Sequence, residues 1–319
     1  GGIDFLLHEA SSRRALSCRL DHGLRLTIAG TLTAPKRRAN AWQPCAGSMA
    51  ESPGSETVGP APDSEATHVK HRIVSIAQWL YPTPRGLYCE PGGFFIDPSG
   101  AVDRAVITHG HSDHARSGHR AVMATAETIA IMKVRMGERC SESFQPLGLG
   151  QTVALGGVSV RLAPAGHILG SAQVVVEHGG RRAVVTGDYK RSADPTAAAF
   201  ELVPCDLLIT EATFGLPVFR HEPATGEIAK LLGSLRTFPE RTHLVGAYGL
   251  GKCQRLIGLL RAAGYDAPIW LHGAMQALCD LYVGLGVVLG DLRPAAEATR
   301  QQLAGAIVLC PPNALADRW

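Results

Sequence analysis

The sequence predicts an α/β protein built from two successive α/β units. From residue 72 to residue 210, short apolar stretches are separated by Gly, Pro and Asp, which is typical of strands joined by tight turns. After Glu211 the pattern changes to strands that alternate with helices. This alternation predicts a second unit with parallel strands.

The N-terminal segment differs in composition from the rest of the chain. Residues 34–67 are dense in Pro, Gly, Ser, Ala and charged residues, with little apolar periodicity. Such a stretch cannot bury enough apolar area to offset the entropy lost on ordering it. We therefore expect residues 1–72 to be a disordered extension or a segment that is not natural coding sequence. The following domains are expected at residues 73–212 and 213–319.

Several stretches of each unit have the periodicity of regular secondary structure. In the first unit, one helix is expected at residues 125–137, and strands are expected at residues 93–98, 105–108, 151–162 (a hairpin around Gly156-Gly157), 172–177, 182–186 and 207–210. In the second unit, helices are expected at residues 224–235, 253–263 and 275–285, with strands at residues 243–247 and 268–271.

Composition narrows the class of protein without identifying a function. No apolar run approaches the roughly 18 residues that a membrane-spanning helix needs, and no stretch has the pattern of a signal peptide. The 8 cysteines are scattered and form no CxxC pair, which favours a reducing compartment. We therefore expect a cytoplasmic protein with no membrane partner. A net charge of +3 permits a polyanionic substrate but does not indicate one.

One short run carries the chemistry of the first unit. His109, His111, Asp113 and His114 follow directly after the predicted strand at residues 105–108. Imidazole and carboxylate are the ligands that suit zinc, iron or manganese. Four such residues within six positions are more than one tetrahedral ion uses comfortably, so the run predicts two metal ions. A histidine-rich surface loop is the alternative, which the specific spacing disfavours.

Two further candidate ligands follow predicted strands later in the chain. His167 lies in a Gly/Pro loop after one strand, and Asp188 follows another in the run Val-Val-Thr-Gly-Asp. A lone residue of this kind is usually a turn residue or a cap. Because both follow strands in the same order as the first cluster, we expect them to share its edge of the sheet.

These ordered motifs resemble the metallo-β-lactamase superfamily, which implies an αββα sandwich. By this resemblance His109, His111 and His167 bind one ion, Asp113 and His114 bind the other, and Asp188 bridges the two. The resemblance also makes Asp97 a residue that supports the ligand loop without touching metal. It implies two divalent ions as cofactors, expected to be zinc, with manganese or iron as alternatives.

The segments at residues 81–93, 164–173, 187–191 and 209–215 resemble the β-CASP nucleases, most of all the bacterial ligase-associated DNA exonucleases, which are also described as mRNA 3′-end processing factors. The similarity covers about residues 74–312. It implies a metallo-β-lactamase domain at residues 73–212 and an inserted β-CASP cassette at residues 213–319. It also implies nucleic acid (DNA ends first) as substrate, a role in DNA repair and a DNA ligase as a candidate partner. RNA processing stays open, and so does a non-catalytic nucleic-acid-binding scaffold.

The resemblance extends to further site residues. We expect Asp113, Asp188 and Glu211 to be catalytic. Asp113 and Asp188 are expected metal ligands, and Glu211 matches the acidic residue that opens the β-CASP cassette. Lys190 and Arg191 follow Asp188 and are candidates for contacts with backbone phosphates, although surface ion pairs fit them equally well.

The sequence departs from the family at its C-terminal end. Family members continue past the position of Trp319 and return two further histidines to the site. We therefore expect a complete first metal site and a second site that is short of one ligand. His221, His243 and His272 lie outside the family's motifs and are expected to have structural roles.

A rival motif lies in the second unit. The run from Gly246 to Cys253 nearly matches the phosphate-binding loop G-x-x-x-x-G-K-[ST] between a strand and a helix. A Cys stands where a hydroxyl would bind magnesium, and no strand ending in a paired acid follows. We therefore disfavour nucleotide hydrolysis, while Lys252 at the helix start stays a candidate for contacting a substrate phosphate.

Overall fold

The computed structural model describes residues 26–28, 75–212, 215, 218 and 222–316, which belong to one compact unit. The strands in these ranges are β1 (Leu26–Ile28), β2 (Leu80–Thr83), β3 (Gly86–Cys89), β4 (Phe94–Ile96), β5 (Arg104–Val106), β6 (His119–Ala124), β7 (Ser141–Pro146), β8 (Thr152–Leu155), β9 (Val158–Pro164), β10 (Ala172–His178), β11 (Arg181–Val185), β12 (Leu207–Glu211), β13 (His243–Gly246), β14 (Ile269–Leu271), β15 (Leu292–Pro294) and β16 (Ile307–Cys310). The helices are α1 (Ala126–Met136), α2 (Ala224–Thr237), α3 (Lys252–Ala262), α4 (Gly273–Gly284) and α5 (Arg300–Leu303).

Two six-stranded sheets pack face to face and form what we call the sandwich (residues 26–28 and 75–212). One sheet has the order β1-β12-β11-β10-β9-β8, and the other has the order β2-β3-β4-β5-β6-β7. Alternate residues of β9, Val158, Val160 and Leu162, point into the core between the sheets, as the two-residue period of a strand requires. The most buried side chains of this core include Leu80, Phe94, Ile96, Val160, Leu162, Val174 and Val176.

Helix α1 packs on the outer face of the second sheet. The Thr125 side chain caps its first turn by accepting a hydrogen bond from the Thr128 amide at 3.2 Å. Ile129 and Met132 then bury one face of the helix against the sheet, while Ile131 points to the other side. The α/β class and the several sheets predicted from the sequence are confirmed.

Residues 222–316 form a second layer that we call the cassette. Its sheet has the order β13-β16-β14-β15, and all its strands are parallel, as the strand–helix alternation predicts. Leu256, Ile257 and Met275 pack α3 and α4 against this sheet. Ile131 of α1 and Ile168 of the sandwich belong to the same buried cluster as these cassette residues. The cassette and the sandwich therefore share one apolar core.

The expectation for residues 1–72 falls almost wholly outside the described residues. Leu26–Ile28 are described, and they pair antiparallel with β12, with Leu26 opposite Glu211. In the part of the chain that the structure describes, no helix is long and apolar enough to cross a membrane.

Candidate metal centre

The candidate ligands come together where several strands of the sandwich end. The histidine run follows β5, His167 follows β9, Asp188 follows β11 and Glu211 ends β12. β9, β11 and β12 belong to one sheet and β5 to the other. The two sheets therefore deliver their loops to one common edge of the sandwich.

Four ligand atoms surround a first position. His111 Nδ1 lies 3.0 Å from His109 Nε2 and 3.2 Å from His167 Nε2. Asp188 Oδ2 lies 3.3 Å from His167 Nε2 and 3.8 Å from His109 Nε2. A tetrahedral zinc ion with bonds of about 2.0–2.1 Å places its ligand atoms about 3.3–3.4 Å apart. The donor set and its spacing therefore fit one divalent ion.

A second position lies on the other side of Asp188. His114 Nε2 is 3.5 Å from Asp188 Oδ1 and 3.9 Å from Asp113 Oδ2. The two oxygens of Asp188 thus face different ligand groups, which is the arrangement that a bridging carboxylate needs. The Asp113 side chain is 57% exposed, so this position is more open than the first.

Asp97 fixes the rings of two histidines from behind. It accepts hydrogen bonds from the Thr108 amide at 2.8 Å, from Thr108 Oγ1 at 2.5 Å and from His114 Nδ1 at 2.8 Å. Because the Thr108 hydroxyl gives its proton to Asp97, its lone pairs accept from His109 Nδ1 at 3.1 Å. Both histidines consequently turn Nε2 towards the metal positions.

The backbone around these residues is tightly constrained. Asp97 has a φ of 44°, a conformation that Asp and Asn adopt more readily than other non-glycine residues. Gly187, with a φ of +52°, packs against Thr108, and a Cβ at this position would lie 2.5 Å from Thr108 Oγ1. The glycine before Asp188 therefore lets β11 approach the ligand loop closely.

The three histidines of the first position are uncharged, as metal-binding imidazoles must be. Burial lowers the pKa of His109 and of His111, and burial together with His111 lowers the pKa of His167 to about 4. His114 behaves in the opposite way. Burial alone would lower its pKa, but the hydrogen bonds to Asp188 and Asp97 outweigh burial and raise it to about 11.

The stability of the metal-free protein should therefore fall as the pH rises above neutrality. The pKa of His114 lies above its ordinary value of 6.5 in the fold, so its stabilisation is complete below about pH 6.5 and is lost towards about pH 11. Thermal melts in chelator between about pH 7 and pH 10 should show a flatter profile for His114→Gln than for the wild type. Parallel profiles would contradict this account.

A cleft of about 490 Å³ opens beside the first position. His111 and His167 lie on its wall, together with the cassette loop at residues 248–251. Its basic lining residues are Arg135, Lys190, Lys252 and Arg255, against one carboxylate, Asp113. The cleft therefore presents positive charge next to the candidate metal ligands.

Asp194 joins two of these cations. Its side chain is 2% exposed and accepts from the Lys190 ammonium, while Arg255 Nε lies 3.4 Å away. Lys190 is thus a buried residue of the cleft wall and not a surface ion-pair residue. Lys252 begins α3 and stands over the Tyr248 ring at 4.9 Å, whereas Arg191 is exposed and does not line the cleft.

The remaining predicted residues take varied places. Glu211 is half-buried, and burial followed by the nearby Asp188, opposed by His114, raises its pKa. His243 is buried beside Ser234, with 2.9 Å between Nε2 and Oγ, and His272 caps α4 through the Ala274 amide. His221 lies outside the described residues.

Two contacts of the site were not predicted from the sequence. Arg135 of α1 donates to the carbonyl of Gly110 at 2.6 Å and so braces the ligand loop. The Leu250 carbonyl of the cassette lies 3.3 Å from His111 Nε2. The position of Arg135 in a predicted helix is only a weak indication of its contact with the ligand loop. A contact made by a backbone carbonyl gives no indication in the sequence, because every residue has one.

The phosphate-binding-loop interpretation does not fit the loop before α3. The Gly251 amide donates to Gln254 Oε1 at 2.8 Å, the Lys252 amide to the Leu250 carbonyl at 3.1 Å and the Cys253 amide to the Tyr248 carbonyl at 3.1 Å. A phosphate cradle needs such amides pointing outwards. Here they close the loop on itself.

Comparisons with known proteins identify a similar family and several similar proteins. A family model described as a β-lactamase superfamily domain matches residues 88–236. Residues 88–236 therefore carry a metallo-β-lactamase superfamily domain, and the set of relatives matches the β-CASP nucleases that the motifs resemble.

Three curated relatives illustrate the similarity. A probable DNA ligase of Opitutus terrae is 33% identical over 247 residues, or 74% of this chain and 23% of that protein. Endoribonuclease YSH1 of Eremothecium gossypii is 33% identical over 130 residues, or 39% of this chain and 17% of that protein. Ribonuclease TTHA0252 of Thermus thermophilus is 28% identical over 212 residues, or 57% of this chain and 48% of that protein. The chain thus spans less than half the length of each.

Proposed function

We propose that this chain carries a metal-dependent phosphodiester hydrolase that acts on nucleic acid, with DNA ends as the first candidate substrate. The observation that carries the proposal is the two-position His/Asp centre beside a basic cleft. His109, His111 and His167 would hold one divalent ion. Asp113 and His114 would hold the other, and Asp188 would bridge them. Zinc suits this donor set, with manganese or iron as alternatives.

The chemistry follows from the charges at the site. Divalent ions held there would supply Lewis acidity and an activated water at neutral pH. The chain's own residues do the rest. The basic wall of the cleft holds the anionic backbone next to the ligands, and Lys190 and Lys252 are proposed to contact its phosphates. Arg191, being exposed, would contact only a strand that extends beyond the cleft.

Glu211 is proposed to act at the edge of the same centre. Its raised pKa places its proton affinity closer to neutrality than that of an ordinary carboxyl group. It is therefore suited to hold a hydrogen bond to a histidine near the second position. This role rests on the resemblance to β-CASP nucleases.

Two observations bear on the choice between DNA and RNA. One relative, covering the largest share of this chain among the three, is named a probable DNA ligase, which favours DNA repair and a DNA ligase as partner. Two others are named ribonucleases, which keeps RNA processing as the second candidate. A non-catalytic scaffold would explain the same cleft without a working second position.

Metal content and substrate choice test the proposal together. The protein is incubated with zinc or manganese, desalted, and its bound ions are counted. It is then given DNA and RNA strands of one sequence, each labelled at either end. We expect two ions per chain and faster shortening of DNA from an end, with chelator abolishing it. Faster cleavage of RNA would transfer the function to RNA processing, and one ion or none without cleavage would indicate the scaffold.

A further inference from the structure

The ring of His111 is oriented differently from its neighbours. His109 and His114 are both held through Asp97 of the sandwich, directly or through Thr108. His111 instead places Nε2 3.3 Å from the Leu250 carbonyl, which belongs to the cassette. One ligand of the first position therefore depends on a residue 139 positions further along the chain.

Gln254 holds the loop that carries this carbonyl. Its side chain is fully buried, accepts from the Gly251 amide at 2.8 Å and donates to the Gly249 carbonyl at 2.8 Å. These two bonds span the loop on either side of Leu250. A buried amide that satisfies two backbone groups in this way fixes the direction of the carbonyl between them.

Gly251 lets the loop reach the metal centre. Its φ is +81°, and a Cβ at this position would lie 2.3 Å from Ile168 Cγ2 and 3.8 Å from His111 Nε2. Ile168 directly follows His167, and Ser171 Oγ accepts from the amides of both residues at 3.0 and 3.1 Å. The loop thus packs between two ligand histidines, in a space that any side chain at Gly251 would take.

The hydrogen-bond roles have a chemical consequence. A backbone carbonyl only accepts, so a bond to Leu250 places the proton of the His111 ring on Nε2. The lone pair of Nδ1 then faces His109 Nε2, 3.0 Å away, whose proton is on the opposite nitrogen towards Thr108. Two lone pairs at this distance repel each other unless a cation lies between them.

We propose that Gly251 and Gln254 are positioning residues of the metal centre. They hold the Leu250 carbonyl so that it selects the Nε2-protonated form of His111 and aims Nδ1 at the first position. The cassette is on this account a structural part of the metal site. The inference rests on the metal centre of the proposed function but not on its substrate.

The first test uses the unaltered protein. Zinc-loaded protein labelled with ¹⁵N on its histidine rings is studied by long-range ¹H–¹⁵N correlation NMR, with His111→Gln identifying the His111 signals. We expect the proton of His111 on Nε2. A ring protonated on Nδ1, or one that exchanges evenly between both forms, overturns the proposal.

The second test measures metal affinity in matched variants. Gly251→Ala should push the loop away from His111, and Gln254→Leu should release it. Each should weaken zinc binding at the first position by about 10- to 100-fold, as loss of an orienting partner does. Gly249→Ala is the loop control, since its new Cβ would approach nothing closer than 3.4 Å. Leu260→Ala, in the buried core of α3, controls for lost stability.

Competition with a chromophoric zinc chelator gives the affinities, and the visible spectrum of bound cobalt reports the ligand geometry. We expect changes in Gly251→Ala and Gln254→Leu and none in the two controls. Wild-type affinity and spectrum in either folded test variant overturn the proposal, as does equal weakening in Leu260→Ala. No nucleic acid enters these measurements, so a protein that cleaves neither DNA nor RNA can still pass them.

Discussion

Asp188→Ala should remove metal binding and nuclease activity together. Among the described residues, Asp188 offers one oxygen near His167 and the other near His114, so both positions lose a ligand at once. We expect fewer than two bound ions per chain and a loss of activity of about a thousandfold or more, because Lewis-acid stabilisation of the phosphate is worth several kcal/mol. Ion counting after desalting and cleavage of end-labelled strands measure the two effects.

Asp206→Ala is the matched control for this experiment. Asp206 is also a carboxylate beside a strand of this sheet, immediately before β12, but it pairs with Arg181 at 2.8 Å on the surface. It should leave ion content and activity unchanged. Activity of Asp188→Ala near the wild-type level would mean that the bridging assignment is wrong.

Asp97→Ala should damage the fold and the metal site without removing a ligand. The Asp97 carboxylate, 13% exposed, accepts three hydrogen bonds from Thr108 and His114. Its loss leaves these groups without their buried acceptor, which typically costs about 3–5 kcal/mol. We also expect about 10- to 100-fold weaker zinc binding, since the rings of His109 and His114 would both lose the hydrogen bonds that orient them. Denaturant unfolding of the metal-free protein and zinc competition check the two parts separately.

Asp97→Asn separates charge from backbone effects. Asn tolerates the positive φ of this position and can still accept from the Thr108 amide, but it carries no charge and offers a single acceptor oxygen. Its effect on stability should therefore be smaller than that of Ala, while its effect on zinc affinity should be similar. If both variants bound zinc as the wild type does, Asp97 would not orient the ligands.

The sequence predicts those elements and ligands whose pattern lies within a short stretch of the chain. The helix at α1, the hairpin of β8 and β9, and the strands that precede His167 and Asp188 were all expected from periodicity and glycine turns. The loop after β5 was expected from its dense His/Asp spacing. Each of these signals lies within about a dozen consecutive residues, which is the range over which a pattern can be recognised.

Other elements gave no such signal. β6 and β7 were not predicted because β6 is nearly covered on both faces and β7 is mostly exposed, so neither alternates cleanly. β15 has only three residues, too few for a recognisable period, and β16 is buried at every position and so does not alternate. Fully buried parallel strands have apolar runs that a buried helix can share.

The parts of the site that sequence missed depend on distant contacts. Asp194 is an unremarkable acid until the fold buries it between Lys190 and Arg255. Leu250 acts through its carbonyl, so its side chain says nothing of its contact with His111. Such relations exist only once two remote segments have met, and no local composition encodes them.

The apolar cluster that contains Ile131 and Ile168 has a consequence for how the chain holds together. Both side chains are at most 2% exposed, and both lie among residues of the cassette. Cutting the chain between the sandwich and the cassette would leave these side chains facing water, beside the loop that bears His167. Neither half would then be an autonomous module. The loops that bear the candidate metal ligands and the cassette are therefore expected to unfold in a single transition, because the cassette completes the apolar core beneath these loops.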